Sequence, residues 1–91
     1  MIEVKQTGAG DLMEFEVVVR EANGTTRHHV TMKKSTFERF ATKATAVRFV
    51  EAAFAFLLEH EPKESILARF DVTVIRRYFP QFEREIGRYL D

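Results

Sequence analysis

Cysteine is absent from this chain of 91 residues, proline occurs twice and glycine four times. Without cysteine there is no disulfide, no thiolate nucleophile and no cysteine-based zinc site. An excess of charge of either sign is also missing: 14 Lys and Arg balance 14 Asp and Glu. The balance holds within residues 1–34, within 35–60 and within the remainder. No net field therefore draws in nucleic acid or an anionic membrane surface. The longest apolar run, Ala52 to Leu58, is far short of the ~20 residues that a membrane helix needs. The N-terminus has no basic stretch followed by an apolar run, so no signal peptide is expected. These absences make a soluble, cytoplasmic protein the expectation. No internal repeat, low-complexity tract or interdomain linker is visible.

What is present is apolar and aromatic. Hydrophobic residues make up 45% of the chain and nine of them are Phe. A chain of this size holds one domain with one core. The reading is residues 1–91 as a single domain, a β-meander over 1–34 and a helical region over 35–91.

Asp11 to Glu21 alternates, placing Met13, Phe15, Val17 and Val19 on one side. Asn23-Gly24 follows, a strong signal for a type I′ hairpin turn, which needs positive φ at both central positions. Thr25 to Lys33 then returns as the partner strand. With Ala22 opposite Thr25, Phe15 faces Met32, Val17 faces Val30 and Val19 faces His28. The outer face then pairs Glu14 with Lys33, Glu16 with Thr31, Val18 with His29 and Arg20 with Arg27. Ile2 and Val4 alternate with Glu3 and Lys5, predicting another strand over residues 1–7, with Gly8 to Asp11 as the turn.

Ser35-Thr36-Phe37-Glu38 has the form of a capping box opening a short helix that buries Phe37, Phe40 and Ala41. Thr42 to Thr45 is a break, with Thr45 a cap for the next helix. That helix, about Ala46 to His60, carries Val47, Val50, Phe54, Leu57 and Leu58 in one stripe, widened by Phe49, Ala52, Ala53 and Phe56. A helix this apolar is covered on more than one side, by the C-terminal helices or by a second subunit. Pro62 suits the first turn of a new short helix. Asp71 suits a cap for Val72 to Tyr78, and Pro80 restarts the chain as a last helix with Phe82, Ile86, Tyr89 and Leu90 on one face. The segment 62–80 is expected as short helices turning on one another, burying Ile66, Leu67, Phe70, Val74, Ile75, Tyr78 and Phe79.

The run Phe56-Leu57-Leu58-Glu59-His60-Glu61-Pro62, then Ser65-Ile66-Leu67, Phe70-Asp71, Ile75 and Tyr78-Phe79-Pro80, resembles a group of short bacterial proteins with no assigned function. The matching positions cover about a quarter of the chain. The resemblance implies bacterial origin and a shared fold of a hairpin followed by helices, and it supplies no catalytic residues.

Catalytic constellations are weak. His28 and His29 are neighbours on a strand and point to opposite faces, so they do not chelate one metal together. His60 ends a helix, where a cation suits the dipole. No metal site and no cofactor are expected. Glu59 with Glu61 and Glu83 with Glu85 are spaced i,i+2 and do not share a helix face. Gly8-Ala9-Gly10 precedes a strand and lacks the Lys-Ser/Thr ending of a phosphate loop.

Residues 62–79 superficially follow a helix-turn-helix, with Ala68 to Thr73 leading into Val74-Ile75-Arg76-Arg77-Tyr78. Asp71 stands where glycine normally makes the turn, and Pro80 cuts the second helix short. Arg76 and Arg77 read as a solvated edge pairing with Glu83 or Glu85. On the sheet's outer face Arg20, Arg27, His29 and Lys33 form a candidate patch for an anion or carboxylate, with Glu3 or Glu16 available to neutralise it.

The fold class read from these patterns is α+β: a three-stranded antiparallel β-meander followed by three to five short helices packed on one face. The function read is a non-enzymatic protein-interaction or regulatory module, with a protein partner or a second copy. Tyr78, Phe79 and Phe82 are its candidate anchors, flanked by Arg76 and Arg77. A nucleic-acid-associated regulator built on 62–79 and a small-ligand binder or minor enzyme are the alternatives.

Overall fold

The computed structural model describes residues 1–90. Strands β1 (Ile2–Gly8), β2 (Leu12–Glu21) and β3 (Gly24–Lys33) form the expected antiparallel meander. Met13, Phe15, Val17 and Val19 of β2 are buried on one face with His28, Val30 and Met32 of β3. The charged residues alternate onto the other face. The chain is α+β.

The hairpin turns one residue earlier than the Asn23-Gly24 signal implies. Ala22 and Asn23 occupy the turn and Glu21 pairs with Gly24. Phe15 therefore opposes Val30, Val17 opposes His28 and Val19 opposes Thr26. Each partner differs by two residues from the expected register. A two-residue shift leaves every side chain on its own face, so the apolar pattern alone does not separate the two registers. A type I′ turn needs positive φ at both central residues, and neither Ala22 nor Asn23 has it; Gly24 takes φ 139° as the first residue of β3. Arg20 consequently faces Thr25 and Arg27 faces Val18, so the like-charge pair does not form.

A fourth strand, β4 (Arg69–Asp71), lies parallel to β3 with Phe70 opposite Val30, giving the order β1-β2-β3-β4. The sheet is thus mixed, and the expected helix before Asp71 is extended chain. Arg69 is exposed while Phe70 packs on the core, an alternation too short to stand out from a helical pattern in sequence. A parallel neighbour requires a crossover connection, which the helices between β3 and β4 provide.

Helix α1 (Lys34–Arg39) springs directly from β3. Ser35 lies inside it, so the capping box does not form; Lys33 holds the cap position without a side-chain bond. The Lys34 amide instead donates to the Asp11 carbonyl at 2.8 Å. Phe37 and Phe40 reach Phe49, with ring centroids 5.8 and 4.6 Å apart. Ala41 is exposed and turns the chain out of the helix at φ 50°.

Helix α2 (Ala46–His60) opens as expected, the Thr45 hydroxyl accepting the Arg48 amide at 3.1 Å. Residues two apart on a helix point to opposite sides, and Phe54 and Phe56 use this. Phe54 packs on the sheet side, 5.3 Å from His28 and 5.9 Å from Phe70. Phe56 meets Phe79, Phe82 and Tyr89 on the far side, at 5.9, 5.1 and 5.8 Å. The chain's own C-terminal arm therefore covers the second face of α2.

The arm leaves α2 at Pro62, makes a 3-10 turn over Lys63–Ser65, adds β4, and continues through a 3-10 turn (Val72–Val74) into α3 (Ile75–Tyr78). It ends with α4 (Phe82–Glu85) and a last 3-10 turn (Ile86–Tyr89). Asp71 is the cap read from sequence, accepting the Thr73 amide at 3.0 Å. Phe82 and Ile86 are buried, with Tyr89 and Leu90 packed against the same core. Among the described residues no helix is long and apolar enough to cross a membrane.

Candidate functional site

The C-terminal end of α2 and the arm that folds back on it leave a cleft of about 120 Å³ between them. Its floor is apolar: Leu57 from α2, Ile66 from the segment after the 3-10 turn, and Ile75 from α3, all buried. Phe70, Val74 and Phe79 complete the walls. Leu67 and Tyr78 stand on the rim, 46% and 67% exposed, two of the four large hydrophobic side chains that face solvent among the described residues. Both belong to the set expected to be buried. Ile66 and Leu67 are neighbours on extended chain, where successive side chains point opposite ways, so only one of them reaches the core.

Glu61 is the charged group at the rim. Burial pushes its carboxyl above the usual range, while the neighbouring His60 pulls it back. It forms no ion pair among the described residues. His60 itself donates from Nδ1 to the Phe56 carbonyl at 2.8 Å and stacks between Phe56 and Phe79.

A second cluster fixes the arm in place. The Lys63 side chain is fully enclosed, and its ammonium reaches Asn23 Oδ1 at 2.7 Å, Glu64 at 2.7 Å and Glu21 at 3.3 Å. The hydrogen bond to Glu64 raises its pKa first, with Glu21 adding to it, against the opposing effect of burial. Lys63 thus ties the tip of the β2–β3 hairpin to the start of the arm. His28 makes the next tie: Nδ1–H donates to the Leu67 carbonyl at 2.8 Å, leaving Nε2 to accept from the Thr26 hydroxyl at 2.9 Å. Neither role has a signature in sequence, because the partners lie about forty residues away.

Of the anchor candidates, Tyr78 is exposed, Phe79 is half-buried against Phe56 and His60, and Phe82 is a core residue only 1% exposed. Phe82 is therefore not available on the surface. Arg76 pairs with Glu83 at 3.4 Å and Arg77 is exposed beside it. The helix-turn-helix framework is not formed, since Arg69–Asp71 is a strand where the first helix would run.

Arg20, Arg27, His29 and Lys33 share the outer face of the sheet, in company with carboxylates. Arg20 bonds Glu3 at 3.1 Å, His29 sits between Glu14 at 3.2 Å and Glu16, and Lys33 acts on Asp71. Neither Arg27 nor Lys33 forms an ion pair among the described residues. No group of three or more His, Asp or Glu among the described residues is placed to hold a metal ion.

Two wider hollows, of about 470 and 350 Å³, are bordered only by Arg39, Phe40 and Glu83, and by Asp11, Leu12 and Lys33 to Ser35. They have too few walls to enclose a ligand. Compared with known proteins, the chain matches no family model, no curated protein and no solved structure.

Proposed function

We propose that the protein is a non-enzymatic interaction module whose α2–arm cleft receives one apolar side chain of a protein partner. The size of the cleft carries the reading. Small-molecule and cofactor sites run to roughly 300–1,000 Å³, whereas this cleft offers about 120 Å³. That is close to the ~150 Å³ apolar cavity known to take a benzene-sized guest, the space of one Leu or Phe side chain. Exposed Leu67 and Tyr78 supply a further apolar rim, and tyrosine at the edge of a pocket is a frequent interface anchor. Glu61, unpaired and partly desolvated, favours a basic residue next to the inserted side chain. The neutral charge of the chain and the strand at 69–71 weigh against the nucleic-acid alternative.

Selection from a random peptide library on the immobilised protein tests this. The expected product is a peptide family with one large apolar residue next to Lys or Arg. Its binding weakens at least about tenfold with Tyr78→Ala or Leu67→Asp, as the loss of an interface anchor does, while thermal stability is unchanged. Repeating the capture with nucleic acid present and then digested separates out the alternative. If no family is enriched, or if binding ignores both substitutions, the cleft is not the docking site.

A further inference from the structure

Strand β1 leaves one long edge of the sheet free. It forms one border of the sheet, and among the described residues only β2 pairs with it. The opposite border is the three-residue β4, whereas β1 runs for seven residues without proline. The phase of its hydrogen bonds follows from its first pair. Met1 and Arg20 exchange both main-chain bonds, at 2.8 and 2.9 Å. In an antiparallel ladder such pairs recur at every second residue, so Glu3 and Lys5 also turn their main-chain groups toward β2. Ile2, Val4 and Gln6 turn theirs outward, where no strand lies.

We infer that a second copy of this chain docks here, β1 against β1 in antiparallel fashion, with the two-fold axis at Val4. Registers centred at Ile2 or Gln6 pair only one outward residue of each strand before β1 ends or shifts. The charges select among the other three that the hydrogen-bond phase allows. Centring at Glu3 sets Glu3 against Glu3, and centring at Lys5 sets Lys5 against Lys5, both repulsive. Centring at Val4 sets Glu3 of each copy opposite Lys5 of the other, twice. Lys5 has no ion pair within its own chain among the described residues, and Glu3 shares only the half-exposed contact with Arg20. In the same register Val4 exchanges both bonds with Val4 and Ile2 exchanges both with Gln6, about six main-chain bonds in all. Cross-strand pairs share a face, so the two Val4 side chains meet on the core side of the sheet while the Glu3–Lys5 pairs lie on the polar side. The shift of register between Gln6 and Gly8 ends the pairing. The two four-stranded sheets then form one continuous sheet, with both α2 helices on the same side of it.

A joint made of two strand edges is small, below the ~1,200 Å² of a standard interface, so the dimer exchanges with monomer in the micromolar range or above. Sedimentation velocity over about 10–500 µM protein is expected to show this equilibrium. Lys5→Glu, which sets two carboxylates opposite each other twice, raises the dimer dissociation constant about tenfold or more. The double variant Glu3→Lys with Lys5→Glu restores the opposite-charge pairing and brings the constant back to within about threefold. Gln6→Pro removes an outward N–H that the monomer does not use, and weakens the dimer without loss of fold. Hydrogen exchange gives the direct readout: the Val4 and Gln6 amides become protected as concentration rises, while those of Glu3 and Lys5 are protected throughout. A monomer over the whole range, or a dimer indifferent to Lys5→Glu and Gln6→Pro, overturns the inference. A dimer sensitive instead to Tyr78→Ala would place self-association in the cleft and overturn it equally.

Discussion

At the scale of single residues, the carboxylate of Asp71 shows how one side chain joins local and distant structure. Its Oδ1 accepts the Thr73 amide at 3.0 Å and the Thr73 hydroxyl at 2.7 Å, and its Oδ2 accepts the Thr31 hydroxyl of the neighbouring strand at 2.7 Å. Burial alone would raise its pKa. The bonds from Thr31 and Thr73, with Lys33 nearby, outweigh burial, and the net shift is below the ordinary value of 3.8. A depressed carboxylate stabilises the fold fully above its unfolded pKa, and the contribution fades as pH falls through the lower folded value. Asp71→Ala should therefore cost about 0.5–2 kcal/mol at neutral pH, the usual range for losing a helix cap. Asp71→Asn, also a good cap residue, should cost less. In urea titrations the gap between wild type and Asp71→Ala should close as pH drops below about 4. A gap that stays constant down to pH 2 would show that the ionised form is not the stabilising one.

Between elements, the corresponding joint is Lys63, which lies on the arm while its other partners, Glu21 and Asn23, lie at the hairpin tip. Lys63 is raised above 10.5 and Glu64 lowered below 4.5, each chiefly by the hydrogen bond to the other. A raised lysine contributes below its unfolded pKa and a lowered glutamate above its own, so the pair acts across the neutral range and weakens at either extreme. Lys63→Met keeps most of the buried stem and removes the charge. It should lower the thermal midpoint near pH 7, with a smaller deficit near pH 3, as the Glu64 carboxylate gains its proton and the pair is lost. An equal deficit at both pH values would assign the effect to packing. These joints mark where sequence reading stops. Thr45, Asp71 and the span of α2 were legible because caps and 3.6-residue periodicity are local. Asn23-Gly24 misled because a two-residue shift of register leaves every side chain on its own face, while Asn23 is engaged as acceptor by Lys63, forty residues on. Strand β4 was hidden because three residues carry no period, and Ser35 because the Asp11 carbonyl had already taken the first helical amide. The cleft was half legible: the apolar character of Ile66, Phe70 and Ile75 shows in sequence, but nothing local marks Leu67 and Tyr78 as rim rather than interior.

For the whole molecule, aromatic contacts argue that sheet, long helix and arm unfold together. Phe49 meets Phe37, Phe40 and Phe82, and Phe56 meets Phe79, Phe82 and Tyr89. Phe82 therefore touches both ends of the helical layer, and it is 1% exposed. Emptying it as Phe82→Ala should cost about 3–5 kcal/mol, a large share of the roughly 5–15 kcal/mol that holds a domain of this kind. The distribution of aromatic residues makes the consequence measurable. The chain has no Trp and two Tyr, at positions 78 and 89, both on the arm. Tyrosine fluorescence thus reports the arm alone, whereas far-ultraviolet circular dichroism reports the sheet and α2. In wild type the two denaturation curves should coincide, and in Phe82→Ala both should move to lower denaturant by the same amount, as a single cooperative unit requires. Were the arm an independent flap over a self-sufficient sheet and helix, fluorescence would change first and Phe82→Ala would widen the separation. That outcome would also change the meaning of the cleft, whose floor combines Leu57 of α2 with Ile66 and Ile75 of the arm. It would then be a gap that opens with the arm, not a preformed pocket waiting for a partner's side chain.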